Sequence, residues 1–369
     1  MSRGSAPSGG LPGAARAIDP DAASLRQLTE RLLDHLQRLL GSGVAFREPL
    51  RPLQGGFVTD VYAFALASAD DAWARPLVLR VFPANTEAVM VRRERCAQDV
   101  VSAQGAPAPR VLACEDTEGS LERPFLVMER LPGRPQMVIE LPGLLLELPR
   151  LVTLPRRHAA ALDIVHRLDA EPLLRAFAAA GIDRRAVGPE HWLDRAESTI
   201  AGYRLDGLRP ALAWLRSHRP PDPERLSICH GDLFGANILE HGGRVTGLLD
   251  WNVATVADPA FDVGGQIAAY EMSALPGPLV LQLAAMGHGR LLGAGLRRAY
   301  RRHRAISEER IRYYAVLRAF VELVLKRGLE EEVRATGVAR RMPTWRPDQC
   351  ARYVARRTGV ACEIAARAG

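Results

Sequence analysis

Apolar residues recur every three or four positions between Ser24 and Leu40, at Leu25, Leu28, Leu32, Leu33, Leu36, Leu39 and Leu40. That spacing collects one face of an α-helix, with Ser24 placed to cap it and Gly41 to end it. From Phe46 to Val81 the pattern turns strand-like. Arg51 to Phe57, Val61 to Leu66 and Pro76 to Phe82 are bounded by glycines or by the polar turn at Ala69-Asp70-Asp71, so three antiparallel strands are expected. Asn85 to Ala103 is predicted to be a helix that breaks at Gly105–Pro109, and Arg110 to Ala113 and Pro124 to Glu129 supply two more strands.

Leu131-Pro132-Gly133 punctuates the end of this portion and suits a hinge. The prolines in the Leu-rich stretch Gln136 to Pro155 argue against a long helix, which leaves a packed loop or a wall or lid beside a substrate. Helical patterns then cover Arg156 to Leu168, His191 to Tyr203, Leu208 to Ser217, Ala257 to Ala269 and the chain from Pro278 onward. They surround a hairpin from Ile238 to Trp251 that turns at His241-Gly242-Gly243-Arg244. The expected organisation is an α+β chain in two lobes. Residues 1–23 form a flexible leader, 24–131 a sheet-containing N-terminal lobe with its lead-in helix, and 132–369 a mainly helical C-terminal lobe.

A length of 369 residues with 47% hydrophobic content is enough for two lobes and a cleft. No apolar run approaches the roughly 18 residues of a membrane span, and Ser2 to Gly13 lacks the apolar core of a signal peptide. Five cysteines without a Cys-x-x-Cys pair suggest neither a zinc site nor a disulfide framework, which fits a reducing cytoplasm. The net charge of +7 comes almost wholly from arginine, Lys326 being the single lysine. These arginines are scattered along the chain without aromatic interleaving, so neither nucleic acid nor an anionic membrane is an expected partner.

The chemistry concentrates in Ile228-Cys229-His230-Gly231-Asp232-Leu233-Phe234-Gly235-Ala236-Asn237 and in Leu248-Leu249-Asp250-Trp251. Phosphoryl transfer needs a carboxylate that orients the attacking hydroxyl and takes its proton, and oxygen ligands that hold metal ions on the triphosphate. Asp232, after a permissive glycine, suits the base. Asn237 and Asp250 suit a hard cation, Mg²⁺. Each could alone be a turn or strand-end residue; the combination is what points to catalysis. Arg80 is the only cation in the third strand, and Glu94 in the following helix is the partner its guanidinium can grip with two hydrogen bonds.

His-x-Asp, an Asn five residues on, and Asp-Trp after a short apolar strand resemble the aminoglycoside phosphotransferase and choline kinase family, relatives of protein kinases, over roughly residues 45 to 330. The resemblance implies a bilobal protein-kinase-like fold and an ATP-dependent, Mg²⁺-requiring kinase acting on a small-molecule hydroxyl. It implies that backbone groups of Glu129 and Leu131 receive adenine, and that the turn carrying Gly55 and Gly56 approaches the triphosphate. His230 and Asp262 would brace the catalytic loop, and His166 would be structural. Protein kinases use Lys where this chain has Arg80, which leaves a nucleotide-binding regulatory module with little turnover as the rival reading. Beyond Phe261, Arg outnumbers Asp plus Glu, in runs such as Arg301-Arg302-His303-Arg304, so a highly cationic acceptor is not expected.

Overall fold

The computed structural model describes residues 22–53, 59–67, 71–136, 141–272, 279–337 and 345–364. Helix α1 (Ala22–Leu40) leads into strands β1 (Ala45–Pro52), β2 (Asp60–Ala67) and β3 (Leu77–Val81). Helix α2 (Ala88–Ala103) follows, then β4 (Val111–Glu115) and β5 (Phe125–Glu129). The five strands form one antiparallel sheet in the order β1-β2-β3-β5-β4.

Strand alternation decides which helix covers which face. Leu77, Leu79 and Val81 of β3 pack with Tyr62, Phe64, Phe125 and Val127 against Leu32 and Leu36 of α1. The opposite face sets Val78, Leu126 and Met128 against Val91 of α2. Arg80, paired in register with Val61 on one side and Leu126 on the other, belongs to this second face.

The chain leaves β5 through Leu131-Pro132-Gly133, where Gly133 has φ +125° and a Cβ would stand 2.5 Å from Thr246 Oγ1. Only glycine fits that crossing. The second portion contains β6 (Arg134–Pro135), α3 (Leu141–His166), α4 (Glu171–Ala179), α5 (Glu190–Gly202), α6 (Arg209–Ser217) and β7 (Ser227–Cys229). It continues with β8 (Ile238–His241), β9 (Arg244–Leu248), β10 (Thr255–Ala257), α7 (Ala260–Met272), α8 (Leu279–Tyr300), α9 (Glu308–Thr336) and α10 (Pro347–Thr358). Strand β6 extends the β8–β9 hairpin, and β7 pairs with β10. Helix α7 is buried on nearly every side, in one core with Trp251, Tyr300, Tyr314 and Phe320. Among the described residues no helix is long and apolar enough to cross a membrane.

Several local expectations change. Helix α1 already includes Ala22, so Ser24 lies within it instead of capping it, and the first strand is Ala45–Pro52 instead of Arg51 to Phe57. Gln136 to Pro155 is not a loop, because the chain is helical from Leu141 to His166. Pro142 falls in the first turn, where no intrahelical donor is needed. Pro155 is buried, and a Cβ on Gly295 of α8 would stand 3.0 Å from its ring; interhelical packing outweighs the broken hydrogen bond. Helix α4 and strand β10 are short and had no clear periodic signal.

Candidate active site

Strand β7 delivers His230, Gly231 and Asp232 to its C-terminal end, and a single 3₁₀ turn, Gly235–Asn237, carries the chain into the β8–β9 hairpin that returns at Asp250. Gly231 has φ +79°, and a Cβ there would meet the Val253 carbonyl at 2.7 Å. Asp262, in the first turn of α7, accepts the N–H groups of His230 and Gly231, both at 2.8 Å. Its Oδ2 also accepts from His166 Nε2 at 3.1 Å, while His166 Nδ1 accepts from the Tyr300 hydroxyl at 2.6 Å. Burial works against the Asp262 charge, but these donors outweigh it and hold the carboxyl below its ordinary range.

His230 joins the two loops. Its Nε2 donates to the Leu249 carbonyl at 2.9 Å, and its ring lies 4.4 Å from that of Trp251. Trp251 is fully buried and donates to the Leu248 carbonyl at 2.8 Å. His230 and Asp262 therefore sit in the bracing positions, and Asp258 caps α7 by accepting from the Ala260 N–H at 2.8 Å.

The carboxylate of Asp232 stays 31% exposed and accepts from Arg318 Nη2 at 2.8 Å. Arg318 also donates to the Gly231 carbonyl at 2.7 Å and pairs with Glu322 at 2.9 Å. Desolvation raises the Asp232 pKa to about 6, with Arg318 pulling it down and the like charge of Asp250 pushing it up. Asn237 donates through Nδ2 to the Asp232 carbonyl at 2.9 Å, which leaves its Oδ1 as the acceptor end. Asp250 adopts φ +67°, a conformation uncommon for a non-glycine residue, and its side chain is 33% exposed.

Arg80 closes the site from the other lobe. Its Nη2 donates to Asp250 Oδ1 at 2.8 Å and its Nη1 pairs with Glu94 Oε1 at 3.1 Å. Burial opposes the guanidinium charge, yet the two carboxylates outweigh it and raise its pKa. Glu94 is 1% exposed, and burial pushes its carboxyl upward against the pull of Arg80. Helix α2 is itself fastened to the helical portion: Arg93 donates to the carbonyls of Ala254 at 3.1 Å and Ala186 at 2.8 Å, and Arg92 to that of Ala180 at 2.9 Å.

At the hinge, Glu129 is buried, pairs with Arg75 at 3.2 Å, and its N–H is taken by the Arg110 carbonyl at 3.1 Å. Gly55 and Gly56 lie outside the described residues.

Residues 49–306 match the phosphotransferase enzyme family. The chain belongs to that family. It is 29% identical over 252 residues to acyl-CoA dehydrogenase family member 10 of Mus musculus, covering 65% of this chain and 22% of the mouse protein. It is 28% identical over 180 residues to viomycin phosphotransferase of Streptomyces vinaceus, covering 45% of this chain and 57% of that enzyme. The chain thus spans less than two thirds of either relative. Its fold is similar to a thermostable mutant of aminoglycoside phosphotransferase APH(4)-Ia in complex with AMP-PNP and hygromycin B. The two are 18% identical with a TM-score of 0.55, covering 89% of this chain and 98% of the other. The architecture is the kinase-like α+β fold of the phosphotransferase enzyme family.

In this family member the sequence motifs missed Arg318 and Glu322, which come from α9, 86 and 90 positions after Asp232. A motif search cannot find a partner at that separation. The one available signal was an Arg and a Glu four residues apart inside the apolar stretch from Tyr313 to Leu325. Phe234 and Trp345 were missed as well; their rings lie 5.4 Å apart, and Arg318 stands 5.1 Å over the first and 5.9 Å over the second.

Proposed function

We propose that this phosphotransferase is an ATP-dependent, Mg²⁺-requiring kinase that moves the γ-phosphoryl group onto a hydroxyl of a small molecule. The observation that carries the reading is the meeting of Asp232, Asn237 and Asp250 on two loops joined through His230, with Arg80 of the other lobe bonded to Asp250.

Asp232 is the base. It accepts the acceptor's hydroxyl proton while the hydroxyl oxygen bonds to the γ-phosphorus and the bond to the β–γ bridging oxygen breaks, releasing ADP. A pKa near 6 leaves it mostly ionised at neutral pH and close enough to that pH to share a proton in the transition state.

The donor set fits a hard cation. Asn237 commits its Nδ2 to the Asp232 carbonyl, which leaves its oxygen end as a ligand, and the partly open Asp250 carboxylate supplies the charge. Mg²⁺ held there would neutralise phosphate charge as the bond breaks. Arg80 serves the triphosphate in place of the Lys of protein kinases, held in place by Glu94 and Asp250. Main-chain groups of Glu129 and Leu131 would receive adenine.

Several arginines of the C-terminal runs are engaged within the protein. Arg297 and Arg301 pair with Glu308, and Arg304 pairs with Asp163. Viomycin phosphotransferase and the hygromycin-bound structure favour an antibiotic as one acceptor class, beside hydroxylated metabolites. A nucleotide-consumption screen over pooled hydroxylated metabolites and antibiotics, with Asp232→Asn as background, tests the reading. Mg²⁺-dependent ATP binding without transfer to any acceptor would favour the regulatory module instead.

A further inference from the structure

Lys326, the chain's single lysine, projects from α9 and is 0% exposed. Its Nζ has no hydrogen-bond partner among the described residues. The carboxylates one turn away on the same helix are engaged elsewhere, Glu322 by Arg318 at 2.9 Å and Glu330 by Arg327 at 2.5 Å. What the ammonium does meet is the Trp345 ring, 5.4 Å from the centroid. Glu322 and Glu330 act on its charge, but a buried ammonium with an aromatic face and no hydrogen-bond partner is poorly compensated.

Its surroundings lead back to the catalytic carboxylate. Arg318, Glu322 and Lys326 occupy successive turns on one face of α9. Arg318 reaches Asp232 at 2.8 Å and lies 5.9 Å from the same Trp345 ring. Trp345 in turn packs 5.4 Å from Phe234, two residues beyond Asp232, and both rings are half-buried, so this aromatic wall borders solvent.

Resting on the kinase reading above, we infer that Lys326, Trp345 and Phe234 form the anchoring subsite of the acceptor and that the acceptor is a small hydroxycarboxylic acid. Its hydroxyl faces Asp232, its carbon skeleton lies along the two rings, and its carboxylate pairs with the Lys326 ammonium. One anionic charge would meet a buried ammonium that has no hydrogen-bond partner among the described residues. Burial also pulls the Lys326 pKa below its ordinary value, and a bound carboxylate would raise it again.

The test compares hydroxycarboxylic acids with their methyl esters as acceptors for the full chain and for Lys326→Met and Lys326→Arg. Alongside it, the single lysine, labelled with ¹³C at Cε, is titrated with the same compounds without nucleotide. The expected result is a preference for acid over ester of roughly tenfold or more in kcat/KM. Lys326→Met should erase that preference through KM, and Lys326→Arg should keep part of it. The lysine resonance should move with acids and not with esters. Equal use of acid and ester overturns the subsite and leaves the kinase reading standing. A resonance that moves only with acids, without transfer to any acceptor, supports the subsite and sinks the kinase reading. A resonance that ignores every acid overturns the inference, whether or not the variants fold.

Discussion

Arg80 and Asp250 lie 170 positions apart and meet at 2.8 Å. The same guanidinium reaches Glu94 at 3.1 Å, so one side chain of β3 ties α2 to the loop that follows β9. Helix α2 is also held to the helical portion by Arg92 and Arg93. The Arg80 guanidinium is thus positioned by both lobes at once.

The three groups should behave as a unit. Arg80→Ala and Glu94→Gln are each expected to lower kcat/KM, and the double variant should lose less than the sum of the two in free energy. Additive losses in steady-state kinetics would count against the unit. Arg80→Lys should lower kcat roughly tenfold or more, because a single ammonium cannot reproduce a fork that spans two carboxylates. Full turnover by Arg80→Ala would remove this residue from the mechanism.

Asp232→Asn should cut kcat by about 10²-fold or more, the scale of general-base help, while nucleotide affinity stays within a few fold. Asp232 is bonded to Arg318 rather than to Arg80, so its loss should not disturb the triphosphate side. Calorimetric nucleotide binding beside single-turnover kinetics separates the two effects.

Asp250→Asn is expected to abolish the Mg²⁺-dependent rise in melting temperature on adding ATP. Asn tolerates the φ of +67° found here, so the backbone survives while the anionic ligand disappears. An undiminished thermal shift would show that the metal is held elsewhere.

The base must be ionised to act, so kcat/KM should rise with pH through about 6, where burial has raised Asp232. Arg318 opposes that rise by favouring the charged form. Arg318→Met should therefore move the acid limb to higher pH and reduce activity most below neutrality. A limb that stays in place in the pH–rate profile of this variant would mean that another group titrates.

Periodicity identified α1, β2 to β5 and α2, because a repeat of two or near four residues states which side chains share a face, while β1 lies ahead of its expected place, at Ala45–Pro52. Asp232, Asn237 and Asp250 were legible for a related reason: they lie within 19 residues on adjoining loops, and their chemistry is unusual in combination. Arg80 and Glu94 could be paired in advance through the resemblance to protein kinases, which join a strand Lys to a Glu of the next helix. Packing alone decided the rest. It kept Leu141–His166 helical through its prolines by seating Pro155 against Gly295 of α8. It also brought Arg318 to Asp232, with Glu322 behind it, and set Trp345 against Phe234, a choice made by which faces of α7, α9 and α10 bury one another. Local spacing encodes a face, but the partner of that face is selected by the burial of the whole core, and no short motif records it.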